Sequence, residues 1–155
     1  MRKKRAPKRY LQPDPKFGDT VVTKFVNSLM WSGKKSTAYQ IFYDAVALVA
    51  ERTKEDGLET WRKAVANVSP AVEVRSRRIG GANIQIPTEV RAERKMALGM
   101  KWLIQYSRDR NGKTMSDKLA TEIIAASKGE GGAFKKKEDT HRMAEANKAF
   151  SHFKF

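Results

Sequence analysis

The residues of this sequence that could do chemistry are mainly cations. The stretch VEVRSRRIGGANIQIPTEV, residues 72–90, alternates polar and apolar positions around Gly-Gly, which is typical of a β-hairpin. It carries Arg75, Arg77 and Arg78 beside the turn. Guanidinium groups pair with phosphates in a bidentate geometry, and three of them exceed what protection of a strand edge needs. The pattern therefore favours an anion-binding hairpin over a solvated edge hairpin.

Further cations occur where the local chain prefers other residues. The segment SGKKS places two lysines between predicted helices, while RAERK and KKK place cations at predicted helix starts. A helix start carries partial positive charge, so a bound phosphate would relieve the conflict. Each cluster alone is also typical of a solvated face, but together they indicate contact with one extended anion. These residues are Lys34, Lys35, Arg91, Arg94, Lys95, Lys135, Lys136 and Lys137.

Catalytic motifs are not found in the sequence. It has no GxxxxGK[ST] phosphate loop, no GxGxxG after a strand, no HExxH and no cysteine. Glu138 and Asp139 stand near His141, but adjacent positions on a helix point apart, which favours a salt-bridged surface over an acid/base or metal cluster. We therefore expect no enzyme activity, no cofactor, no metal and no small-molecule substrate.

The charge of the 155-residue chain indicates a polyanionic partner. Its 32 Lys and Arg against 17 Asp and Glu give a formal net charge of +15, with the excess before residue 17 and after residue 74. An anionic membrane surface fits less well, because the basic N-terminus lacks the apolar face of an interfacial helix. No apolar run reaches the roughly 18 residues of a membrane span. Nucleic acid in the cytoplasm is the expected setting.

Periodicity predicts a mainly α fold of about six helices in one domain, residues 1–155. Residues 1–18 predict a flexible basic arm, and residues 72–87 a protruding β-hairpin between the third and fourth helices. Residues 91–108 are apolar over most of the helix circumference, which predicts the central buried helix.

Several residues mark the predicted ends of these helices. Asp19 is the expected N-cap of the first helix and Ser36 that of the second. Thr114, with Asp117 three residues later, resembles a capping box for the fifth. The last helix is expected from about Lys136.

Aromatic residues divide between core and surface. Helical spacing predicts that Trp61 and Trp102 pack in the core, whereas Trp31 is left open between packing and base stacking. The terminal FSHFKF mixes aromatic and basic residues, which suits stacking on bases or docking on a protein, with a frayed tail as the alternative.

Three long blocks of the sequence resemble one known family. DTVVTKFVNSLMWSGKKSTAYQIFYDA, VEVRSRRIGGANIQIPTEV and GGAFKKKEDTHRMAEANKAFSHF closely resemble the bacterial-type family of small ribosomal subunit protein seven, over essentially the whole chain. The resemblance implies a helical domain with an extended hairpin that binds the 3′ major domain of small-subunit rRNA and nucleates head assembly. It also implies a place near the exit-site tRNA, the mRNA path and small-subunit protein eleven.

The resemblance assigns roles to particular residues. It implies an rRNA-binding arm at Arg2, Lys3, Lys4, Arg5, Lys8 and Arg9. It implies rRNA contacts from the loop that holds Lys34 and Lys35 and from Arg75, Arg77 and Arg78. Proximity to tRNA or mRNA is implied for the hairpin tip and the C-terminal segment, namely Ile79, Gly80, Gly81, Ala82, Asn83, His152, Phe153 and Lys154.

Two other functions remain as alternatives. An architectural protein outside the ribosome would share the basic arm and hairpin but would bind duplex DNA as well as structured RNA. An RNA-modifying enzyme would need a cofactor loop or a nucleophile with its base, which the sequence does not offer.

Overall fold

Helices form most of the chain in the computed structural model, which describes residues 7 and 9–153. The elements are α1 (Thr20–Leu29), α2 (Lys35–Thr53), α3 (Gly57–Val68), β1 (Val72–Ile79), β2 (Ala82–Glu89), α4 (Ala92–Asp109), α5 (Met115–Ser127), α6 (Gly131–Ala146) and a 3₁₀ helix (Lys148–Phe153). This confirms the predicted mainly α fold with one hairpin between the third and fourth helices.

The odd-numbered helices begin with side-chain caps. The Asp19 carboxylate accepts from the Val21 amide at 2.7 Å, and Asp56 does the same for Leu58 at 2.8 Å. Thr114 Oγ1 accepts from the Asp117 amide at 3.3 Å, so the caps predicted at Asp19 and Thr114 are confirmed. The cap predicted at Ser36 is wrong, because α2 already begins at Lys35 and its N-cap, Lys34, makes no side-chain hydrogen bond.

An aromatic cluster joins the first three helices. The Phe25 and Phe42 ring centroids lie 5.5 Å apart, and each lies 5.3 Å from the fully buried Trp61. Burial of such large apolar surfaces is the main stabilising contribution to the fold. Trp102 is half-buried and packs against the edge of this core, so core positions for Trp61 and Trp102 are confirmed.

The central helix is α5, not α4 as the sequence predicted. α5 packs against α2, α3, α4 and α6, and it buries Leu119, Ala120, Ile123 and Ala126. Its alanines allow neighbouring helices to approach closely. α4 instead buries one face only, around Leu103, because its first two turns extend past the core, where Met96 is exposed.

A glycine in α4 sets its distance from α3. A Cβ atom on Gly99 would lie 2.6 Å from Ser69 Oγ and 3.1 Å from the Val65 carbonyl oxygen. Any side chain at this position would push α4 away from α3, and with it the cations at the start of α4.

The last helix begins at Gly131, five residues before the predicted start. Its N-terminus is held by the buried carboxylate of Glu122, which accepts from the Ala133 amide at 2.9 Å and pairs with Arg110. Lys135 therefore lies in the second turn and not at the helix start. The predicted conflict between the KKK cluster and the helix dipole is wrong, since Glu122 already supplies the negative charge.

Residues 14–18, the last part of the arm predicted to be flexible over residues 1–18, are anchored to the helical body. Asp14 is buried and accepts from the amides of Lys16 and Phe17 and from the Tyr43 hydroxyl at 2.7 Å. Burial, together with this hydrogen bond to Asp14, raises the pKa of Tyr43 to about 12. The anchor holds Asp14 against α2.

Candidate nucleic-acid interface

The hairpin is a two-stranded antiparallel ribbon with a two-residue turn. Val72 pairs with Glu89 at its base and Ile79 with Ala82 at its tip, so the strands run two residues beyond the predicted 72–87. Gly80 and Gly81 have φ angles of 57° and 89°, which glycine adopts without steric cost. The turn glycines therefore allow the tight reversal that the sequence predicted.

The cross-strand register places the three arginines on two faces. Arg75 lies opposite Ile86 and Arg77 opposite Ile84, so these four side chains share one face, while Arg78 lies on the other. Ile86 is fully buried at the base, whereas residues 75–78 and 80–83 are exposed. The tip therefore extends beyond the helical body.

Glu73 organises two of the predicted cations. Its carboxylate, with only 10% of the side chain exposed, lies 2.7 Å from Arg75 Nη2 and 2.7 Å from Arg94 Nη2. Hydrogen bonds from Arg94, outweighing the opposing effect of burial, hold the pKa of Glu73 below its usual value. Arg75 and Arg94 are thus partly neutralised within the protein, and their ion pairs fasten the hairpin to α4.

This role of Glu73 has only part of its signal in the sequence. Glu73 and Arg75 stand two residues apart on one strand, which was a visible signal for a same-face pair. The contact with Arg94, 21 residues away, depends on where the hairpin and α4 lie in the folded chain and has no local signal.

The other hairpin arginines differ in their surroundings. Arg77 Nη1 donates to the Phe153 carbonyl oxygen at 3.3 Å, which brings the hairpin and the C-terminal 3₁₀ helix together. His152 lies in the same helix, with its ring centroid 4.0 Å from that of Phe153. Arg78 is exposed and makes no hydrogen bond or ion pair within the described residues.

Lysines and an arginine stand at the starts of α2 and α4, whose N-cap residues make no side-chain capping hydrogen bond. Lys34 and Lys35 open α2 as exposed side chains, with Lys35 Nζ 5.8 Å from the Tyr39 ring centroid. Arg91 is the exposed N-cap of α4 and makes no capping hydrogen bond. Both helix starts therefore present cations beside first-turn amides that receive no side-chain cap, an arrangement that suits phosphate.

Cations from α4 and α6 converge on one histidine. The Ala71 amide donates to His141 Nε2 at 3.1 Å, which requires the unprotonated ring nitrogen. Burial, followed by the charges of Lys137 and Lys95, lowers the pKa of His141. The structure thus brings Lys95 and Lys137 to the same side of the molecule, next to the base of the hairpin. Lys137 Nζ also lies 4.1 Å from the Phe134 ring centroid, while Lys135 and Lys136 precede it on α6.

Acidification should weaken the attachment of the hairpin base through His141. Its folded pKa is lowered, so its contribution to stability is complete above the ordinary value of about 6.5 and is lost as the pH falls through the folded value. When the pH falls from about 7.5 to about 5.5, we expect the free energy of unfolding of the wild type to drop by about 1 kcal/mol more than that of His141→Gln. This is the typical net contribution of one hydrogen bond.

Urea unfolding of both variants at the two pH values measures this difference. His152→Gln removes the other histidine and keeps the Ala71–His141 hydrogen bond, so it should behave as the wild type does. An equal acid-induced loss in His141→Gln and the wild type would contradict the assignment.

Six of the predicted contact residues lie outside the described part of the chain, namely Arg2, Lys3, Lys4, Arg5, Lys8 and Lys154. Arg9 is described and exposed. Among the residues that the structure describes, no three His, Cys, Asp or Glu side chains could jointly hold a metal ion. Asp139 instead lies 3.7 Å from Arg142, one helical turn away. No helix in the described ranges has both the length and the apolar character to cross a membrane.

Comparison with known proteins gives a consistent result. A family model described as Ribosomal protein S7p/S5e matches residues 1–148. The chain is 74% identical to small ribosomal subunit protein uS7 of Cytophaga hutchinsonii over 155 residues, covering 100% of both chains. It is 60% identical to the uS7 protein of Christiangramia forsetii, again covering 100% of both, and 56% identical to that of Gemmatimonas aurantiaca, covering 99% of both. The chain therefore belongs to the ribosomal protein S7p/S5e family.

Proposed function

We propose that this chain is an rRNA-binding structural constituent of the small ribosomal subunit and that it nucleates assembly of the head on the 3′ major domain. Membership of a ribosomal protein family supports a role in the cytoplasmic ribosome, a ribonucleoprotein that carries out translation. The role is structural and involves no reaction.

The observation that carries this proposal is the separation of exposed cations over several rigid elements. Arg78 lies on the hairpin, Lys34 and Lys35 open α2, Arg91 opens α4 and Lys135 lies on α6. A single phosphate would need only one such cluster. Clusters spread over one packed body suit an RNA whose helices are held at fixed mutual positions, so binding would fix RNA geometry.

Recognition should depend on RNA shape. A narrow A-form major groove excludes side chains, so the protein would bind phosphates and riboses at the junction between helices. The N-terminal residues Arg2, Lys3, Lys4, Arg5, Lys8 and Arg9 would extend these contacts from the anchor at Asp14. Arg75 and Arg94 would contribute while staying paired with Glu73, and Lys95 and Lys137 would contribute from the side of His141. Lys136 would add a further contact from α6.

The hairpin tip and the C-terminal segment form a second part of the proposal. The hydrogen bond from Arg77 to Phe153 holds these two segments together, which supports a shared surface. On this surface, Ile79 to Asn83 with His152, Phe153 and Lys154 would lie near the exit-site tRNA and the mRNA. The same segment would contact small-subunit protein eleven.

A competition experiment tests the proposal. The protein is bound to labelled 3′ major domain RNA in a filter-binding assay, and unlabelled competitors are added. Duplex DNA should need a phosphate concentration at least about ten-fold higher than that of the unlabelled RNA to displace the same fraction of label. A 5′ domain transcript serves as the control for RNA without the proposed junction. Equal competition by duplex DNA would favour the architectural protein outside the ribosome, and equal binding of the two RNA domains would contradict the assigned site.

A further inference from the structure

Trp31 is an exposed aromatic residue beside a groove, and its position has no role in the core. The side chain is 74% exposed, and the groove next to it, about 660 Å³, runs between α2 and α4. We propose that Trp31 and Arg108 form a platform on which one unpaired base of the rRNA stacks. This inference rests on the proposed function and adds a stacking contact with a base to the phosphate contacts.

The backbone after α1 fixes Trp31 in its outward position. Ser32 and Gly33 have φ angles of 52° and 74°, and the Lys34 amide donates to the Trp31 carbonyl oxygen at 3.0 Å. A left-handed conformation is uncommon for a residue other than glycine, so Ser32 indicates a turn with a defined shape. The exposure of Trp31 is therefore a product of this turn.

Arg108 supports one side of the indole. Its guanidinium carbon lies 4.9 Å from the ring centroid, and Nη2 donates to the Leu29 carbonyl oxygen at 3.1 Å. This hydrogen bond to the end of α1 holds the guanidinium beside the ring, where cation–π attraction is favourable. With so much of Trp31 exposed, the indole keeps surface available for a planar ligand.

The residues around the groove suit a nucleotide. Ile41 and Met115 provide apolar surface, Thr37 and Gln105 can hydrogen-bond to base edges, and Lys34 stands at the rim. Among the described residues that line the groove none is acidic, and the nearby Asp109 carboxylate accepts from Gln105 Nε2 at 3.3 Å. A phosphate attached to the stacked base would meet Lys34 and Arg108 in the groove lining. This charge pattern favours an RNA base over an acidic or a purely apolar partner segment.

Affinity measurements test the stacking directly. With 3′ major domain RNA, Trp31→Ala should weaken binding about ten-fold or more, as removal of a stacking aromatic typically does, while Trp31→Phe should restore most of the affinity. The indole carries no charge, so the slope of log affinity against log salt should stay as in the wild type. Lys34→Ala is the matched control and should make that slope shallower by about one.

Fluorescence provides a second, independent measurement. Trp61 is buried and Trp102 half-buried, so Trp31 should account for most of the emission that acrylamide quenches. Addition of the RNA should quench this emission and protect it from acrylamide in the wild type, and both effects should be lost in Trp31→Phe.

The outcomes separate this inference from the proposed function. If the wild type does not bind the RNA, both fail. If the wild type and Trp31→Ala bind the RNA equally well, and the RNA does not change the fluorescence of the wild type, the stacking platform alone is overturned. Protection of Trp31 by another small-subunit protein, and not by RNA, would also overturn it.

Discussion

Replacing Glu122 with alanine is expected to lower the free energy of unfolding by about 3–5 kcal/mol, the range for breaking a buried ion pair. The Glu122 side chain is 1% exposed and pairs with Arg110, and its second oxygen accepts from the Ala133 amide. The substitution would leave Arg110 without its partner, the start of α6 without its acceptor and a cavity beside α5. Such a loss is a large part of the stability of an ordinary domain.

Urea unfolding followed by circular dichroism measures this effect. Glu122→Gln keeps an oxygen that can accept from the Ala133 amide but removes the charge. Its free energy of unfolding should therefore lie between that of the wild type and that of Glu122→Ala. Glu51→Ala, on an exposed position of α2, is the matched control and should change the free energy by less than about 0.5 kcal/mol. If Glu122→Ala and Glu51→Ala unfold at the same urea concentration, Glu122 does not hold α6.

The parts of the fold that sequence predicted correctly depend on local signals. Gly80 and Gly81 lie between two segments with a period of two, which specifies the hairpin and its turn. Asp19 and Thr114 mark helix starts because a short polar side chain can accept from an amide two or three residues later. Both signals lie within a few residues of the structure that they determine.

The errors in the predicted fold arise from contacts between distant residues. The start of α6 depends on Glu122, which approaches Ala133 from a different helix and has no local signature. The central position of α5 likewise depends on packing. The small apolar residues of α5 let other helices surround it, whereas α4 is longer and carries larger apolar residues but buries only one face. Sequence periodicity identifies a buried face but not which helix lies in the middle.

The candidate interface shows the same division. Composition and clustering indicated which cations to consider, but whether a cation is paired depends on tertiary contacts. Arg75 and Arg94 both bind Glu73, whereas Arg78 does not, although all three are arginines in basic segments. The outward position of Trp31, which helical spacing left open, likewise depends on the turn at Ser32.

Removal of four exposed cations should weaken rRNA binding by about 10²- to 10³-fold at physiological salt. The variant carries Lys34→Ala, Lys35→Ala, Arg78→Ala and Arg91→Ala, which together remove cations from three elements. Each lost phosphate contact should make the slope of log affinity against log salt shallower by about 0.7–0.9, so the total change should be about three. Filter binding of 3′ major domain RNA over a range of salt concentrations measures both quantities.

The choice of these four residues follows from the ion pairs in the structure. Arg75 and Arg94 stay in place because their removal would leave Glu73 as a buried, unpaired carboxylate and would destabilise the hairpin itself. A loss of affinity in a variant without them would then report unfolding as well as RNA contact. The four chosen side chains are exposed, so circular dichroism and the urea midpoint should stay close to those of the wild type.

A matched charge control distinguishes specific sites from net charge. Lys54→Ala, Lys63→Ala, Lys101→Ala and Lys128→Ala together remove the same four charges from exposed positions outside the proposed clusters. If the affinity depends on where cations lie, this control should keep the slope within about one of the wild-type value, whereas the first variant should not. Equal losses in the two variants would mean that the RNA responds only to total charge, and the proposed interface would then be wrong.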